Sequence, residues 1–319
     1  MPVSADATAS LPSDRKTKVS GRLSRRRAKS QVRNGPRVLE AGPVDADLSS
    51  LAQGAISAAV EAGNVALKTL GSHPASVRKG LYDLQVDADI ETERAIVPRL
   101  MELLPGSAVA SEEGTEPVDW SNPSVWIVDP LDGTNNYYSA IPYMAVSIAL
   151  RRNQRLVLAV VHDPVLKQSF SACAGSGAFQ GGLTLQSGPG KALDQATVSL
   201  VNDYSVGGRR EGEQIYKQLN SLVRRVTMLW APAADLVRVA TGHLDAMVCI
   251  GALYGDVCSG LLILSEANGV VLSHDGREID VSALDPKDSV SFIASGSRPL
   301  ADQLVQRLKP SLPPAGIGC

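Results

Sequence analysis

The chain has 319 residues, 44% of them apolar and 20% charged, with a net charge of −2. These figures exclude a fibrous, collagen-like or largely disordered protein, and no apolar run approaches the ~18 residues of a membrane span. Four scattered cysteines (Cys173, Cys249, Cys258, Cys319) and four distant histidines provide neither a disulfide framework nor a His/Cys metal spacing, so a reducing compartment, the cytoplasm, is expected.

The charge is unevenly spread. Residues 1–37 hold ten Lys/Arg against Asp6 and Asp14, a local charge of +8, which leaves −10 for the remainder. This segment has too few apolar side chains to offset its ordering entropy, so residues 1–44 are expected to form a disordered basic tail. Three readings stand open for Arg25-Arg26-Arg27: a solvated tail, a weak contact to nucleic acid or another anionic surface, and an Arg- and Ser-rich transit peptide. The solvated tail takes precedence, and nucleic acid is not an expected partner.

Folded structure is predicted from Asp45 onward. Leu48, Leu51, Ala55, Ile56 and Ala59 keep helical spacing over Ala46–Leu70, with Gly71 as the stop. Ser72–Gly80 reads as a loop. Asp87–Leu104 is a second helix, in which Pro98 predicts a kink or a division into two pieces. Ser107–Ala110 is a short strand. Val125–Val128 is a buried strand ending at Asp129, where Pro130 is expected to stop the ladder and fix a turn. Met144–Arg151 and Leu156–His162 form a hairpin about Arg152-Asn153-Gln154. Further strands are predicted at Ala196–Asn202, Arg225–Leu229 and Ala246–Cys249, and helices at Ala233–Thr241, Asp256–Ala267 and Pro299–Leu308. The irregular alternation implies a layered α/β or α+β fold rather than a strict βαβ repeat.

Chemistry concentrates at Asp129-Pro130-Leu131-Asp132-Gly133-Thr134. Two carboxylates three residues apart, directly after a buried strand, can join the Leu131 carbonyl in presenting hard oxygens, as Mg²⁺ requires. Gly133 permits positive φ or close approach to a ligand, and N–H groups opening a helix there would face an anion. An ordinary Asp-Gly turn is the competing reading. Glu112-Glu113 lies 17 residues before Asp129 and reads by itself as a solvated pair. Asp256 opens an apolar helix, where an N-cap is the plain role.

Taken together, these segments are similar to the inositol monophosphatase family. The resemblance rests on Asp129–Thr134 with Tyr137 and Ile141–Ile148, on Ser111-Glu112-Glu113-Gly114, and on Ala233–Leu236 through Ala240–Ala246. It continues at Asp256, Glu266–Val271 and Asp83–Asp89. It implies an α-β-α-β-α sandwich, commonly dimeric, with residues 45–319 as a phosphatase domain: an N-terminal metal-site half to about 190 and a C-terminal half from about 191. It implies Glu112, Asp129, the Leu131 carbonyl, Asp132 and Asp256 as Mg²⁺ ligands, and Asp89 as the acid orienting the attacking water, assisted by Thr134 and Glu112. Asp132, Asp256 and the Gly133 and Thr134 amides would contact the substrate phosphate. The implied activity is Mg²⁺-dependent hydrolysis of a small phosphate monoester, such as an inositol-like polyol or sugar phosphate. Divalent cations would neutralise the phosphoryl oxygens and acidify a water.

Four places depart from the family pattern. Gly255 stands where the family has Trp, Trp230-Ala231-Pro232 where inositol-specific members have Gly-Thr-Ala, Cys249 where they have Glu, and Val86 where they have Thr. Histidinol phosphate or a nucleotide 3′-phosphate is the alternative substrate, and a non-catalytic binding relative is the alternative role. Trp230 reads either as a core aromatic or as a stacking surface for a flat leaving group. Arg238 reads as part of a solvated helix face.

Overall fold

The computed structural model describes residues 46–308, apart from 73–74, 81 and 115–116. The expected basic tail and Cys319 lie outside the described residues. In chain order, the first half contains α1 (Ala46–Thr69), β1 (Ser76–Arg78), β2 (Leu84–Val86), α2 (Asp87–Leu103), β3 (Ala108–Ser111), β4 (Ser124–Asp132) and α3 (Thr134–Tyr138). It continues with β5 (Ala145–Arg152), β6 (Arg155–Asp163), β7 (Gln168–Cys173), β8 (Gly177–Gln180) and β9 (Leu183–Leu185). The second half contains β10 (Thr197–Asn202), α4 (Val206–Leu222), β11 (Arg225–Thr227), α5 (Pro232–Ala240) and β12 (Ala246–Leu253). The last elements are α6 (Tyr254–Glu266), β13 (Val270–Leu272), β14 (Ser289–Ser295) and α7 (Arg298–Leu308).

Strands β3 to β9 form a seven-stranded sheet in sequence order, antiparallel except for the parallel β3–β4 pair. Successive side chains on a strand point to opposite faces, and both faces of this sheet are covered. Trp126 and Val128 of β4 therefore pack with Ile148, Leu158 and Val160 under Leu51, Ala55, Ala59, Ile96 and Leu100 of α1 and α2. Val125 and Ile127, one residue out of phase, join the central core. Burial on both faces explains why the β4 sequence is a continuous apolar run rather than an alternating one.

The second sheet runs β11-β10-β12-β14-β13, with β10 parallel to β11 and β12, and β14 antiparallel to β12 and β13. Helices α5 and α6 fill the layer between the two sheets, which accounts for the apolar composition of α6 from Leu261 to Leu264. Ile215 and Leu219 of α4 and Leu300 and Leu304 of α7 cover the outer face, against Val198, Leu200, Val248 and Ile293. The result is the expected α-β-α-β-α sandwich. Among the described residues, no helix is long and apolar enough to cross a membrane.

Several local expectations are corrected. The segment read as the loop 72–80 contains β1, which pairs antiparallel with β2; its three residues are all exposed, so no hydrophobic pattern marked it. Helix α2 runs through Pro98 as one element rather than two pieces, and Pro98 lies on its exposed side. Strand β4 does not stop before Pro130 but continues to Asp132, with its register against β5 shifted between Asp129 and Asp132. A bulge of this kind accommodates a residue that cannot donate to the ladder. Asp256 is the third residue of α6 rather than its N-cap, which is Leu253. Arg238 is buried and ion-paired to Asp163, because α5 lies between two sheets and has no solvated face.

Candidate functional site

Three elements carry acids to one place. Beyond β3, the Glu112 N–H donates to the Val128 carbonyl at 3.0 Å, extending the parallel pairing by one residue and setting Glu112 beside Asp129. Asp129 lies opposite Ser147 of β5. The Ser147 hydroxyl lies 2.6 Å from that of Ser259 in α6, a buried bond that ties the first turns of α6 to β5. Asp256 sits one turn before Ser259, so this bond positions the third acid. Carboxylate oxygens of Glu112, Asp129 and Asp256 all lie within 4.8 Å of one another.

Asp132 is held separately. Its Oδ2 accepts the Ala234 N–H at 2.7 Å, from the first turn of α5, where the helix dipole favours an anion. Its Oδ1 is buried without a protein partner. Helix α5 is itself pinned by Asp235, which accepts hydrogen bonds from the Tyr143 hydroxyl at 2.6 Å and from the Ser199 hydroxyl. After Asp132 the chain turns through Gly133 at φ +96°, where a Cβ would lie 3.0 Å from the Tyr143 carbonyl and 3.1 Å from the Ala231 Cβ. Glycine is required there on both counts, and α3 opens at the next residue.

Thr134 joins two parts of the site. Its hydroxyl lies 3.1 Å from Asp89 Oδ1 and 3.0 Å from the Leu131 carbonyl, so one proton has two acceptors. The other oxygen of Asp89 accepts the Val86 N–H at 2.6 Å, which orients the buried carboxylate. The sequence-predicted residues therefore form two contacting sets, Glu112–Asp129–Asp256 and Asp89–Thr134–Leu131. Asp132 lies outside the three-acid group, on the α5 side.

Electrostatically, this array resists ionisation. Burial, followed by Glu112, raises Asp129 well above the usual carboxylate range, and burial likewise raises Asp132. Asp256 is pushed up to about 8 by burial and then by Glu112, and Asp89 to about 7, chiefly by burial. Carboxyl groups in this state favour a proton or a cation. The donor set consists of hard oxygens, as Mg²⁺ prefers, and the unpartnered Asp132 Oδ1 adds one more; the residues fit a divalent cation site.

Sequence reasoning missed Lys79, whose Nζ lies 3.0 Å from Glu112 Oε1 and 2.6 Å from Glu113 Oε1. Burial opposes its charge, but the two carboxylates outweigh this and hold its pKa above the ordinary lysine value. Glu113 is accordingly not a solvated acid, since it also accepts from Gln85. The turn that follows the exposed strand β1 brings Lys79 here, and nothing in the local pattern announces it. Cys249, one of the departures from the family pattern, is buried in β12 with its thiol toward the Val290 carbonyl.

The model of the inositol monophosphatase family matches residues 47–310. The chain is 29% identical to an inositol monophosphatase of Dictyostelium discoideum over 246 residues, covering 74% of this chain and 89% of that one. It is 31% identical to the Nus factor SuhB of Salmonella typhimurium, covering 70% and 84%. The crystal structure of the extragenic suppressor protein suhB from Bartonella henselae superposes with a TM-score of 0.74 at 26% identity, covering 82% of this chain and 98% of that one. Acid centre, layer order and sequence similarity agree: the chain belongs to the inositol monophosphatase family, whose members are metal-dependent phosphatases of small phosphate monoesters.

Proposed function

We propose that residues 45–319 form a Mg²⁺-dependent phosphomonoesterase acting on a small-molecule phosphate. The observation that carries this is the meeting of Glu112, Asp129 and Asp256, from three elements, within 4.8 Å. Glu112, Asp129, the Leu131 carbonyl, Asp132 and Asp256 would hold the cation. When bound, Mg²⁺ supplies positive charge against the phosphate dianion and lowers the pKa of water.

The chain's own groups then have distinct tasks. Thr134 Oγ1, donating its proton to Asp89 or to the Leu131 carbonyl, presents lone pairs that orient the attacking water. Glu112, the most exposed of the three acids, faces the same water. The Gly133 and Thr134 amides lie in the first turn of α3, where helical N–H groups lack acceptors along the chain, and they bind the phosphate oxygens. Asp132 and Asp256 border the ester from the α5 and α6 sides. Cys249 and Trp230 replace the inositol-contacting residues, which supports a substrate other than inositol phosphate.

Phosphate release from inositol, fructose, histidinol and adenosine phosphates, with and without Mg²⁺, tests this reading. Release from at least one ester that depends on Mg²⁺ is expected; absence of release from every ester at saturating Mg²⁺ would overturn it.

A further inference from the structure

Helix α6 carries two glycines, and packing explains only one of them. At Gly260 a Cβ would lie 2.6 Å from the Leu236 Cβ, so the close approach of α5 requires glycine there. At Gly255, in the first turn, the nearest atom of another element would be Ile127 Cγ2 at 3.9 Å, an ordinary contact distance. Gly255 is not among the glycines with positive φ, so the backbone does not demand it either. Glycine is a poor helix former, and the family pattern has Trp at this position. The absence of a side chain at Gly255 therefore has its reason outside packing and backbone geometry.

The space at Gly255 is a cavity of about 230 Å³ that opens on the acid centre itself, since Glu112, Asp129 and Asp256 all line it. Its other walls are largely apolar. Trp120 comes from the segment between β3 and β4, Leu253 from the end of β12, and Pro286 from the stretch before β14. Trp120 is half-buried, whereas Leu253 is 63% exposed, large apolar surface left uncovered at the border of the cavity. One side is thus hard and anionic, the other soft and aromatic. A cavity of this volume takes one flat ring system rather than a drug-sized ligand. Ring faces gain by leaving water for such walls, and hydroxyl groups do not.

We propose that the cavity at Gly255 binds a flat aromatic ring of about the size of an indole, the group that a tryptophan at this position would carry. The ring has two possible sources with the same chemistry. It is either part of a phosphate ester whose phosphate sits at the acid centre, a case that rests on reading that centre as a phosphoesterase, or a free aromatic molecule bound beside a smaller ester. In both cases Trp120, Leu253 and Pro286 supply the contact surface, and the absence of a side chain at Gly255 supplies the room.

The probe is indole, titrated into the full chain with Mg²⁺ and followed by ligand-observed NMR. The wild type is expected to bind it with a Kd of about 1 mM or tighter, within reach of a ligand this small. Gly255→Trp fills the cavity and should weaken binding at least about tenfold, whereas Gly255→Ala should leave it within about twofold. Trp120→Leu removes a wall without filling the space and should also weaken binding several-fold, so the outcome does not hang on one variant's folding. The source of the ring is assigned by kcat/KM for 3-indoxyl phosphate against glycerol 2-phosphate, both measured on one preparation so that loss of folded enzyme cancels. A ratio lowered about tenfold or more by Gly255→Trp makes the ring part of the substrate; an unmoved ratio, with indole binding lost in the same variant, makes it a separate molecule. No indole binding by the wild type, or equal binding by the wild type and Gly255→Trp, overturns the proposal. Indole binding as expected with no hydrolysis of either ester counts against the phosphatase reading and leaves the ring site standing.

Discussion

The acid centre and the cavity beside α4 are built from different materials. Asp129 and Asp132 are enclosed on β4, a strand paired on both sides, and Asp256 is held by a helix bonded to β5 through Ser147 and Ser259. The cavity is walled by an exposed face of α4 and by residues 228–230, beyond the end of the short strand β11. Crowded carboxylates repel one another, so they need a scaffold that holds them in place before a cation arrives. Recognition of a leaving group has no such need and can be placed on surface side chains. On the reading proposed above, the reaction belongs to the enclosed region, and the exposed one is left to contacts with the rest of the substrate.

Substitutions separate the two regions. The largest effect is expected from Asp129→Asn, which should lower phosphate release by about 10³-fold or more with every ester, since charge stabilisation by a bound cation amounts to several kcal/mol. Retention of more than a tenth of wild-type activity would show that the rigid region does not carry the reaction. Thr134→Val should lower kcat by about 10²-fold with little change in KM, while Thr134→Ser keeps most of the activity. Equal rates for the two Thr134 variants would remove the hydroxyl from the mechanism.

Stability effects follow. Without metal, Asp256 titrates near 8 and Asp89 near 7, against an ordinary value of 3.8. A carboxyl group whose folded pKa is raised contributes stability below its unfolded pKa, and that contribution is lost as pH rises through the folded value. The metal-free protein should therefore lose stability from these groups between about pH 4 and 8. Mg²⁺ at about 100 times its Kd should restore about 2.7 kcal/mol, with a larger gain in melting temperature at pH 8 than at pH 6, where protons compete for the same oxygens. Thermal unfolding in chelator and in Mg²⁺ measures this; equal gains at both pH values would contradict the shared site. The smallest effect is expected from Gly133→Ala, which should destabilise by about 1–2 kcal/mol because an L-residue strains at positive φ. It should also lower activity because the added Cβ would displace the Tyr143 carbonyl and Ala231, both changes being read from melting and phosphate release on one sample.

The rigid region was largely legible in the sequence because its signals are local. Asp129–Thr134 spells a strand end, glycine turn and helix start within six residues, and the apolar runs at Val125–Val128 and Leu261–Leu264 mark elements buried on all sides. Even here Pro130 misled: a residue that usually ends a ladder is absorbed by the register shift against β5. The exposed region was less legible. Helix α4 carries Gly207, Gly208 and Gly212, which argue against a helix by propensity. Gly212 is needed because any Cβ there would fall 2.6 Å from the Asn202 side chain, where α4 packs over the end of β10. Lys79 reaches Glu112 from 33 residues away, just after an exposed strand with no apolar pattern, and Ser147–Ser259 is a contact between two unremarkable serines 112 residues apart. Such meetings exist only once the layers are assembled.

The most direct test of the acid centre is calorimetric titration of Mg²⁺ into chelator-treated wild type and into Asp129→Asn, each followed by phosphate release on the same sample. Saturable Mg²⁺ binding by the wild type that restores hydrolysis, together with binding weakened at least tenfold and no restored hydrolysis in Asp129→Asn, is the predicted result. Full hydrolysis by the chelator-treated wild type, or unchanged Mg²⁺ affinity in Asp129→Asn, would contradict it.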